Sequence, residues 1–340
     1  MQSRQFGCKL HLYFSTIESN TPMRSISTTA QIQPQSTARI MMIRPVHFGF
    51  NAQTAGSNEF QQKELAEHNF NIAQEKAREE FDLMISQLQL TGLDLYVFED
   101  TDDIYRPDAV FSNNWVSFHQ SGKVVLYPMM AENRRAERRM DIIENLKKDF
   151  LIEEIIDLTH FEKEGKYLEG TGSMVLDRRY KIAYACLSPR THPDVLNSFS
   201  EALGYELVTF SASDENDKPV YHTNVLMCVG DIFAIVCLEA IKDPDERQMV
   251  RAALEETNKY IVEISLDQVR HFAGNMLMVR NLKGNKFLMM STQAFDSLTE
   301  IQRKSLLDYA RIIHTDLSVI EGYGGGSARC MMTEIHLPLR

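Results

Sequence analysis

The sequence predicts an α/β fold in which five similar units close a ring around a central axis. The first observation is a strand, a hairpin and a helix that recur in this order along the chain. The second is one distinctive residue in each unit, which recurs at a nearly constant spacing. With 44% hydrophobic and 24% charged residues over 340 positions, the chain can also bury a large core.

The N-terminal segment lacks the pattern of the rest. Residues 1–38 are rich in Ser, Thr and Gln and show no sustained apolar periodicity, so we predict a poorly ordered tail and a single domain over residues 39–340. Met23 and Met41 are alternative starts, which leaves open whether the tail belongs to the natural protein. The ordered chain then begins with an apolar strand at Ile40–Pro45.

A polar loop and a long amphipathic helix precede the repeats. The loop Phe50–Asn58 is predicted to make contacts rather than to pack in a core. Apolar residues then recur at helical spacing over Glu59–Leu90, and Gly92 ends the pattern as a C-terminal cap. This predicts one helix over the whole of Glu59–Leu90.

Four complete units follow this helix. Their opening strands begin near Leu93, Ile155, Glu206 and Tyr260. Each opening strand is followed by a hairpin, and the closing helices are predicted over Glu132–Phe150, Thr191–Leu203, Pro244–Thr257 and Leu298–Tyr309. A fifth unit starts at Ile312 and is incomplete, so residues 40–92 must supply its missing pieces. This sharing closes the ring.

One position in each unit carries a distinctive residue. These positions are Asn114, Glu169, His222, Asn275 and Cys330, separated by 55, 53, 53 and 55 residues. Equivalent positions of repeats around one axis face the same centre, so we expect Cys330, His222 and Glu169 to converge. The alternative is coincidence, because polar residues are common where strands begin.

Cys330 follows three consecutive glycines. The run Gly324–Cys330 reads Gly-Gly-Gly-Ser-Ala-Arg-Cys, and glycines weaken a strand or helix, so the run needs a reason beyond packing. One reason is a nucleophile at the end of a permissive loop that a ligand can approach closely. The alternative is a flexible turn followed by a buried thiol.

Charge and composition argue against several classes of protein. The net charge of −11 opposes binding to nucleic acid or anionic membranes, and no apolar run is long enough to span a bilayer. The N-terminus lacks the layout of a signal peptide, so a cytoplasmic location is the default expectation. The five cysteines are scattered without a C-x-x-C pair, which argues against disulfides and zinc. The basic run 134–139 contains an acidic residue and is interpreted as a solvated helix face.

Four motifs resemble one known superfamily. They are Pro107–Trp115, Leu168–Met174, Tyr221–Asn224 and Gly324–Cys330, and in this order and spacing they resemble the arginine deiminase and amidinotransferase superfamily. The resemblance covers essentially everything except the tail and implies the five-bladed α/β-propeller called the pentein fold. Within the superfamily, the chain most resembles the group of citrulline utilization hydrolases.

The resemblance implies roles for individual residues. By position, Cys330 is similar to the superfamily's nucleophile and His222 to its general acid/base. Glu169 is similar to the carboxylate that holds a substrate nitrogen. No metal and no cofactor are expected for this set of residues.

The chain departs from the deiminase pattern at both aspartates that grip the guanidinium of arginine. Asn114 and Asn224 stand at these positions. Ionised carboxylates match a cationic guanidinium, which only donates hydrogen bonds, whereas an amide matches a neutral ureido group, which both donates and accepts. The two asparagines therefore favour citrulline over arginine. The alternative is that another acid, such as Asp108, neutralises a cationic substrate.

Recognition of the α-carboxylate is a second departure. Some deiminases place an arginine just before the triple glycine, where this chain has Tyr323. Arg329 and the loop from Asn51 to Asn58 are the candidates that remain. The predicted substrate-binding residues are Asn51, Asp108, Asn114 and Asn224.

The predicted function is hydrolysis of the ureido group of L-citrulline by Cys330 through a covalent S-carbamoyl intermediate, to give ornithine, carbon dioxide and ammonia. The alternatives within the superfamily are an arginine deiminase, an amidinotransferase or a dimethylarginine hydrolase acting on a guanidino group. A non-enzymatic binding module, similar to the superfamily's ribosome-binding translation factor, is disfavoured by Cys330 and by the acidic net charge. The expected partner is a small amino-acid substrate, without nucleic acid or membrane, and a homo-oligomer is left open.

Overall fold

The computed structural model describes residues 33–62 and 70–340. Most of the predicted N-terminal tail therefore lies outside the described residues, together with residues 63–69 of the predicted first helix. Contacts between residues group Gln33–Arg340 into one unit.

The described residues form five three-stranded sheets of one design. In each, the first strand pairs antiparallel with the middle strand, which pairs parallel with the third strand. The strands are β1 (Arg39–Arg44), β2 (Asp94–Glu99), β3 (Val116–Phe118), β4 (Lys123–Leu126), β5 (Glu154–Asp157), β6 (Val175–Asp177), β7 (Ile182–Cys186), β8 (Glu206–Phe210), β9 (Met227–Val229), β10 (Phe233–Val236), β11 (Tyr260–Glu263), β12 (Leu277–Arg280), β13 (Lys286–Ser291), β14 (Arg311–Thr315) and β15 (Thr333–Glu334).

One of the five sheets is built from both ends of the domain. Four sheets use consecutive strands, in the orders β3-β4-β5, β6-β7-β8, β9-β10-β11 and β12-β13-β14. The fifth joins β15 to β1 and β2, with Ile40 opposite Glu334. The incomplete fifth unit is thus completed by residues from the start of the domain. The α/β class is confirmed, while closure of the five sheets into a propeller stays a prediction.

The helices of the described residues are α1 (Phe70–Leu90), α2 (Met140–Leu146), α3 (Gly170–Ser173), α4 (Pro193–Leu203), α5 (Pro244–Glu256), α6 (Leu266–Arg270), α7 (Thr292–Ser297), α8 (Glu300–Leu307) and α9 (Ser318–Gly324). Helices α1, α2, α4, α5, α7 and α8 connect parallel strands, because such a pair needs a crossover, whereas α3, α6 and α9 lead from one sheet to the next. Helix α4 shows how the sequence sets their ends. Pro193 stands in its first turn, the His192 side chain accepts from the backbone N–H of Asp194, and Gly204 ends the helix in the left-handed conformation.

Two predicted helices are shorter than expected. Within the described residues, the first begins at Phe70, and residues 59–62 lie in a turn and extended chain instead. The predicted helix Glu132–Phe150 is divided into a 3₁₀ turn at Glu132–Glu137 and α2. Residues three apart eclipse each other in a 3₁₀ turn, which brings Arg134 over Glu137.

The predicted boundary of the tail at residue 38 is wrong. Nε2 of Gln35 donates to the backbone carbonyls of Leu176 and Val229, and its Oε1 accepts from the backbone N–H of Arg178. Gln35 and Thr37 are buried. The polar side chain of Gln35 therefore makes hydrogen bonds to buried backbone groups of two sheets rather than to solvent.

The core lies between the sheets and their helices. Trp115, the only tryptophan, is fully buried in a cluster with Phe118 and Phe150. Among residues 33–62 and 70–340, no helix combines the length and apolar character needed to cross a membrane.

Candidate active site

Each sheet presents one of the five periodic residues shortly before its first strand. Asn114 precedes β3, Glu169 precedes β6, His222 precedes β9, Asn275 precedes β12 and Cys330 precedes β15. All five residues are at most 2% exposed. His222 is bonded to Glu169 and Asn275 to Cys330, while Asn114, His222 and Cys330 line one cavity, which is evidence against a coincidental spacing.

His222 and Glu169 form a buried pair. Nε2 of His222 lies 2.8 Å from Oε2 of Glu169. Because an ionised carboxylate only accepts hydrogen bonds, Nε2 carries the proton and Nδ1 is left as an acceptor. Burial lowers the pKa of His222 to about 4, although Glu169 opposes this shift. The imidazole is therefore neutral near pH 7 and able to take a proton at Nδ1.

Glu169 is held ionised behind His222. Burial alone would raise the pKa of Glu169, but Arg190, His222 and Arg134 together hold it below its usual range. Oε2 accepts from Nη1 of Arg190 at 3.3 Å, and Oε1 accepts from the backbone N–H of Met130 at 3.1 Å. Both oxygens are engaged by the protein, and Glu169 is fully buried. These bonds place Glu169 where it orients His222, and the predicted contact of Glu169 with a substrate nitrogen stays a prediction.

The Cys330 thiol lies opposite, against two amides. Its Sγ accepts from Nδ2 of Asn224 and from Nδ2 of Asn275, each at 3.3 Å. N–H donors aimed at sulfur favour the thiolate, which is the nucleophilic form of a cysteine. Asn275 was singled out only by the repeat, and its direct contact with Sγ makes it a functional candidate.

His222 and Cys330 line the same small cavity. Its other lining residues are Thr54, Asn58, Asp108, Phe111, Asn114, Arg134, Arg190, Tyr221, Gly324, Gly325 and Gly326. Its walls combine hydrogen-bonding groups with the aromatic rings of Phe111 and Tyr221.

The triple glycine is explained by close packing around this cavity. A Cβ atom on Gly324 or Gly326 would lie 2.6 or 2.7 Å from the ring of Phe111. Gly325 has a φ of 65°, in the left-handed region, and a Cβ atom there would meet the Asn58 side chain at 2.5 Å. The glycines therefore admit protein neighbours as well as forming part of the cavity wall.

Gly172 separates two functional side chains. A Cβ atom at this position would lie 2.4 Å from Nδ2 of Asn114 and 2.8 Å from Nδ1 of His222. No real Cβ atom tolerates such contacts. A glycine is therefore required for Asn114 and His222 to face the same space.

Two buried arginines belong to the site and were missed. Arg134 donates from Nε and Nη2 to Glu137 at 2.8 and 2.9 Å, and from Nη1 to Oδ1 of Asn114 at 3.1 Å. Arg190 donates from Nη2 to Ser57 Oγ at 2.6 Å, besides its bond to Glu169. Arg134 and Glu137 are nearly fully buried, so the interpretation of residues 134–139 as a solvated face is wrong for these two.

The predicted substrate-binding residues have different positions. Asn114 and Asp108 line the cavity, whereas Asn51 lies behind Asp108 and donates to its Oδ2 at 2.7 Å. Oδ1 of Asp108 is buried without a hydrogen-bond partner among the described residues. Burial raises the pKa of Asp108, although Arg134 and Asn51 oppose this. The side chain of Arg329, a candidate for the α-carboxylate, instead bonds to Met332 and Glu334.

The loop Asn51–Gln61 covers the cavity. Asn58 donates to the backbone carbonyl of Gly324 at 3.3 Å, and Gln61 donates to that of Tyr323 at 3.1 Å. The loop therefore makes contacts, as its polar sequence indicated, and it bonds directly to the segment that carries Cys330.

The chain matches one family model over most of its length. Residues 44–337 match the family described as N,N dimethylarginine dimethylhydrolase, eukaryotic. The chain belongs to this family. It is therefore a member of the pentein, or arginine deiminase and amidinotransferase, superfamily, as its motifs indicate.

Several solved structures share the fold. The apo structure of ArgZ, an arginine dihydrolase from the ornithine-ammonia cycle in cyanobacteria, has 18% identity and a TM-score of 0.68, over 89% of this chain and 41% of that chain. A variant of AgrE in complex with L-arginine has 17% identity and a TM-score of 0.69, over 89% and 40%. A dimethylarginine dimethylaminohydrolase in adduct with S-methyl-L-thiocitrulline has 16% identity and a TM-score of 0.60, over 88% and 100%.

These likenesses concern the fold. The chain spans about two fifths of the length of ArgZ and AgrE, but 98% of the N-terminal domain of ArgZ. No curated protein sequence matches the chain. In the part of the chain that the structure describes, no group of three or more His, Cys, Asp or Glu residues is placed to hold a metal ion.

Proposed function

We propose that this protein hydrolyses the ureido group of L-citrulline, with Cys330 as the nucleophile and His222 as the general acid/base. The observation that carries the proposal is the pair of amides, Asn114 and Asn224, at the two positions where deiminases hold a guanidinium with carboxylates. The orientation of each amide is set by its neighbours.

Asn114 offers an N–H group. Its Oδ1 accepts from Arg134, which can only donate, so Nδ2 faces away from the arginine. One hydrogen of Nδ2 is bonded to Oδ1 of Asn113 at 2.9 Å. The other hydrogen remains for a ligand, and it suits the carbonyl oxygen of a ureido group.

Asn224 offers an acceptor. Its Nδ2 donates to Cys330, while its Oδ1 is buried without a hydrogen-bond partner among the described residues. A buried acceptor without a partner costs about 1–3 kcal/mol, and a ureido N–H would satisfy it. Donor and acceptor together match a neutral group that has both a carbonyl and N–H groups.

The charges of the site also disfavour a cation beside Asn114. Arg134 lies 3.1 Å from Oδ1 of Asn114, and two like charges 4 Å apart repel by about 4 kcal/mol at an effective dielectric constant of about 20. Asp108 is a carboxylate on the cavity wall with a free oxygen, and we assign it to the α-ammonium group of the substrate. Both cavity arginines already donate to protein groups, and we assign the α-carboxylate to Arg190 because Arg134 lies beside Asn114, which is assigned to the ureido group.

The first half of the reaction transfers a carbamoyl group to sulfur. The thiol proton passes to Nδ1 of His222, and Sγ of Cys330 adds to the ureido carbon. The tetrahedral intermediate collapses as the bond from this carbon to the δ-nitrogen breaks. His222 returns its proton to that nitrogen, so ornithine leaves and S-carbamoyl-Cys330 remains.

The second half uses water. His222, again neutral, takes a proton from water at Nδ1 while the water oxygen attacks the carbamoyl carbon. The carbon–sulfur bond breaks, His222 returns its proton to Sγ of Cys330, and carbamic acid leaves and decomposes to carbon dioxide and ammonia. The Nε2–H bond to Glu169 stabilises each imidazolium that forms between these steps.

Product analysis tests the proposal. Wild-type protein with L-citrulline should form ornithine and ammonia in equal amounts, and the variant Cys330→Ala should form neither. Circular dichroism checks that the variant is folded. If wild-type protein makes no ornithine in an assay where a positive control works, the proposal fails.

A guanidino substrate is the second candidate, and the free oxygen of Asp108 favours it. ArgZ is described as an arginine dihydrolase, and the family model is that of a dimethylarginine hydrolase. If Asp108 holds a guanidinium, Asp108→Asn should impair arginine or methylarginine turnover and spare citrulline. If Asp108 holds the α-ammonium group, the same variant should raise KM for every amino-acid substrate.

We also propose that residues 33–340 form one catalytic domain whose sheets surround the site as five propeller blades. One periodic residue precedes the first strand of each sheet, and β6 contacts β9, β9 contacts β12 and β15 contacts β3. An experimental structure with five sheets around one axis would meet this expectation, and any open arrangement would contradict it.

A further inference from the structure

Asn275 has every hydrogen-bonding group of its side chain engaged. Its Oδ1 accepts from the backbone N–H of Arg329 at 3.0 Å. Its Nδ2 donates to the backbone carbonyl of Asn224 at 3.1 Å and to Sγ of Cys330 at 3.3 Å. Because the backbone N–H can only donate, the amide cannot be reversed without losing this bond, so its N–H groups must face the sulfur.

The described hydrogen bonds to Sγ both come from neutral amides. No arginine, lysine or histidine among residues 33–62 and 70–340 makes such a bond with Cys330, and His222 directs its Nε2 proton to Glu169. The negative charge of a thiolate therefore meets the N–H groups of Asn224 and Asn275. Hydrogen bonds to a charged group are roughly twice as strong as those between neutral groups.

The two amides differ in what else they can do. Both are fully buried and neither lines the cavity, but Asn224 retains an Oδ1 without a partner among the described residues, whereas the oxygen and both N–H groups of Asn275 are bonded. A substitution of Asn275 should therefore remove a hydrogen bond to Sγ of Cys330 without removing a contact to the substrate.

We propose that Asn275 is a catalytic residue whose Nδ2 group stabilises the Cys330 thiolate, with Arg329 N–H fixing the direction of its amide. This rests on the proposed function only in taking Cys330 as the nucleophile. It assigns a role to the fourth sheet, which none of the four family-like motifs covers. It also explains how a thiolate forms without a cation beside a neutral substrate.

Alkylation of Cys330 by iodoacetamide tests this without any substrate. The rate at Cys330 is followed by peptide mass spectrometry from pH 6 to 10 in wild type, Asn275→Asp and Asn275→Ala. Both variants lose the N–H donor, and the aspartate adds a like charge. The rate near pH 7 should fall roughly 10- to 100-fold, as expected for a hydrogen bond to a charged group. The midpoint of the rate against pH should move upward.

Recovery at high pH separates this role from a structural one. In Asn275→Ala the rate should approach that of wild type at pH 9.5, because solvent then removes the proton. A merely structural change would lower the rate at every pH. Should Asn275→Asp not fold, Asn275→Ala carries the test alone.

Asn281→Asp is the matched control. Asn281 is also buried and lies in the turn between β12 and β13, where its amide bonds to the backbone of Thr91, Lys283 and Asn285. This variant should keep the wild-type midpoint. With the reaction's substrate, Asn275→Ala should lower kcat by about the same factor as the alkylation rate and leave KM within about twofold. An unchanged midpoint in folded Asn275→Asp and Asn275→Ala would overturn the proposal.

Discussion

Two buried clusters in this molecule have the same composition and different surroundings. The active-site cluster consists of Glu169, His222, Arg134 and Arg190. The C-terminal cluster consists of Glu334, His336, Arg178 and Arg329. In both, burial lowers the pKa of the histidine to about 4. In both, burial alone would raise the pKa of the glutamate, but its arginines and histidine hold it below the usual range.

The thiols beside the two clusters differ. Cys228 lies near the C-terminal cluster, in a pocket lined by Met227, Met276 and Met278. Burial raises the pKa of Cys228 to about 12. Cys330 instead accepts hydrogen bonds from two amides and lies on the glycine-lined cavity. A glutamate, a histidine and two arginines are therefore not enough for an active site, which also needs hydrogen-bond donors at the sulfur.

The largest expected effect separates the two cysteines. Cys330→Ala should lower kcat by on the order of 10⁴-fold or more, because without the nucleophile no covalent intermediate can form. Cys228→Ala should leave kcat within about twofold, because this thiol is inert and buried. Steady-state product formation measures both. Comparable losses of kcat in the two variants would show that the two cysteines do not differ in function.

The two glutamates provide the next comparison. Glu169→Gln should lower kcat by roughly 10²- to 10⁴-fold, as when the carboxylate that orients a catalytic histidine is lost. Glu334→Gln leaves two buried arginines uncompensated and should cost about 3–5 kcal/mol of unfolding free energy. Urea unfolding and turnover at a temperature where both variants are folded would be measured. The account is contradicted if folded Glu334→Gln loses as much kcat as Glu169→Gln.

Substitutions at two glycines near the cavity test whether the alignment of the active-site side chains matters. Gly172→Ala should lower kcat by about 10²-fold, because its Cβ displaces Asn114 or His222 from alignment. Gly56→Ala is the control, since no atom lies within 4 Å of a Cβ at that position in the covering loop. Equal activity of Gly172→Ala and wild type would show that the close approach of Asn114 to His222 is not needed.

The smallest difference is expected in the dependence of stability on pH. Both histidines have folded pKa values of about 4, below the unfolded value of about 6.5. As the pH falls from about 6.5 to 4, the unfolded chain takes up protons that the folded chain does not, so stability falls. Each histidine accounts for about 3 kcal/mol of this loss.

His222→Gln and His336→Gln should therefore flatten the stability curve by similar amounts. Urea unfolding at pH values from 4 to 7 measures the slopes. A flattening in only one variant would mean that the two clusters are not electrostatically alike.

The repeat, and the approach of Cys330 and His222 to one cavity, were predictable from the sequence. Units that follow one another along the chain leave a period, and Cys330 and His222 both stand on it. The α/β class followed from the same units. The shared sheet of β15, β1 and β2 was predictable because the last unit was incomplete.

The missed features depend on tertiary burial. Arg134 belongs to a run of charged residues whose sequence is the same as that expected for a solvated helix face. Its side chain is buried because the chain forms a 3₁₀ turn there, next to Asn114. Arg190 is fixed by the distant Ser57 and Glu169, which no local pattern relates to it. Gln35 looked like part of a polar tail because its partners, Leu176 and Val229, are far along the chain.

The role of Glu169 was also not readable from its position in the repeat. The position of Glu169 in the repeat brings its carboxylate toward the centre. The partner to which the carboxylate bonds depends on the rotamer of Glu169 and on the arginines beside it. Here His222 and Arg190 both bond to Oε2, which the spacing of the repeat could not show.

The most direct test of the central claim is the ratio of kcat/KM for L-citrulline to that for L-arginine, with products identified by mass. Wild-type protein should favour citrulline by about 100-fold or more, because an arginine substrate leaves a cation without a carboxylate. Asn114→Asp combined with Asn224→Asp should move the ratio toward arginine. Preferential turnover of arginine by the wild-type protein would contradict the account.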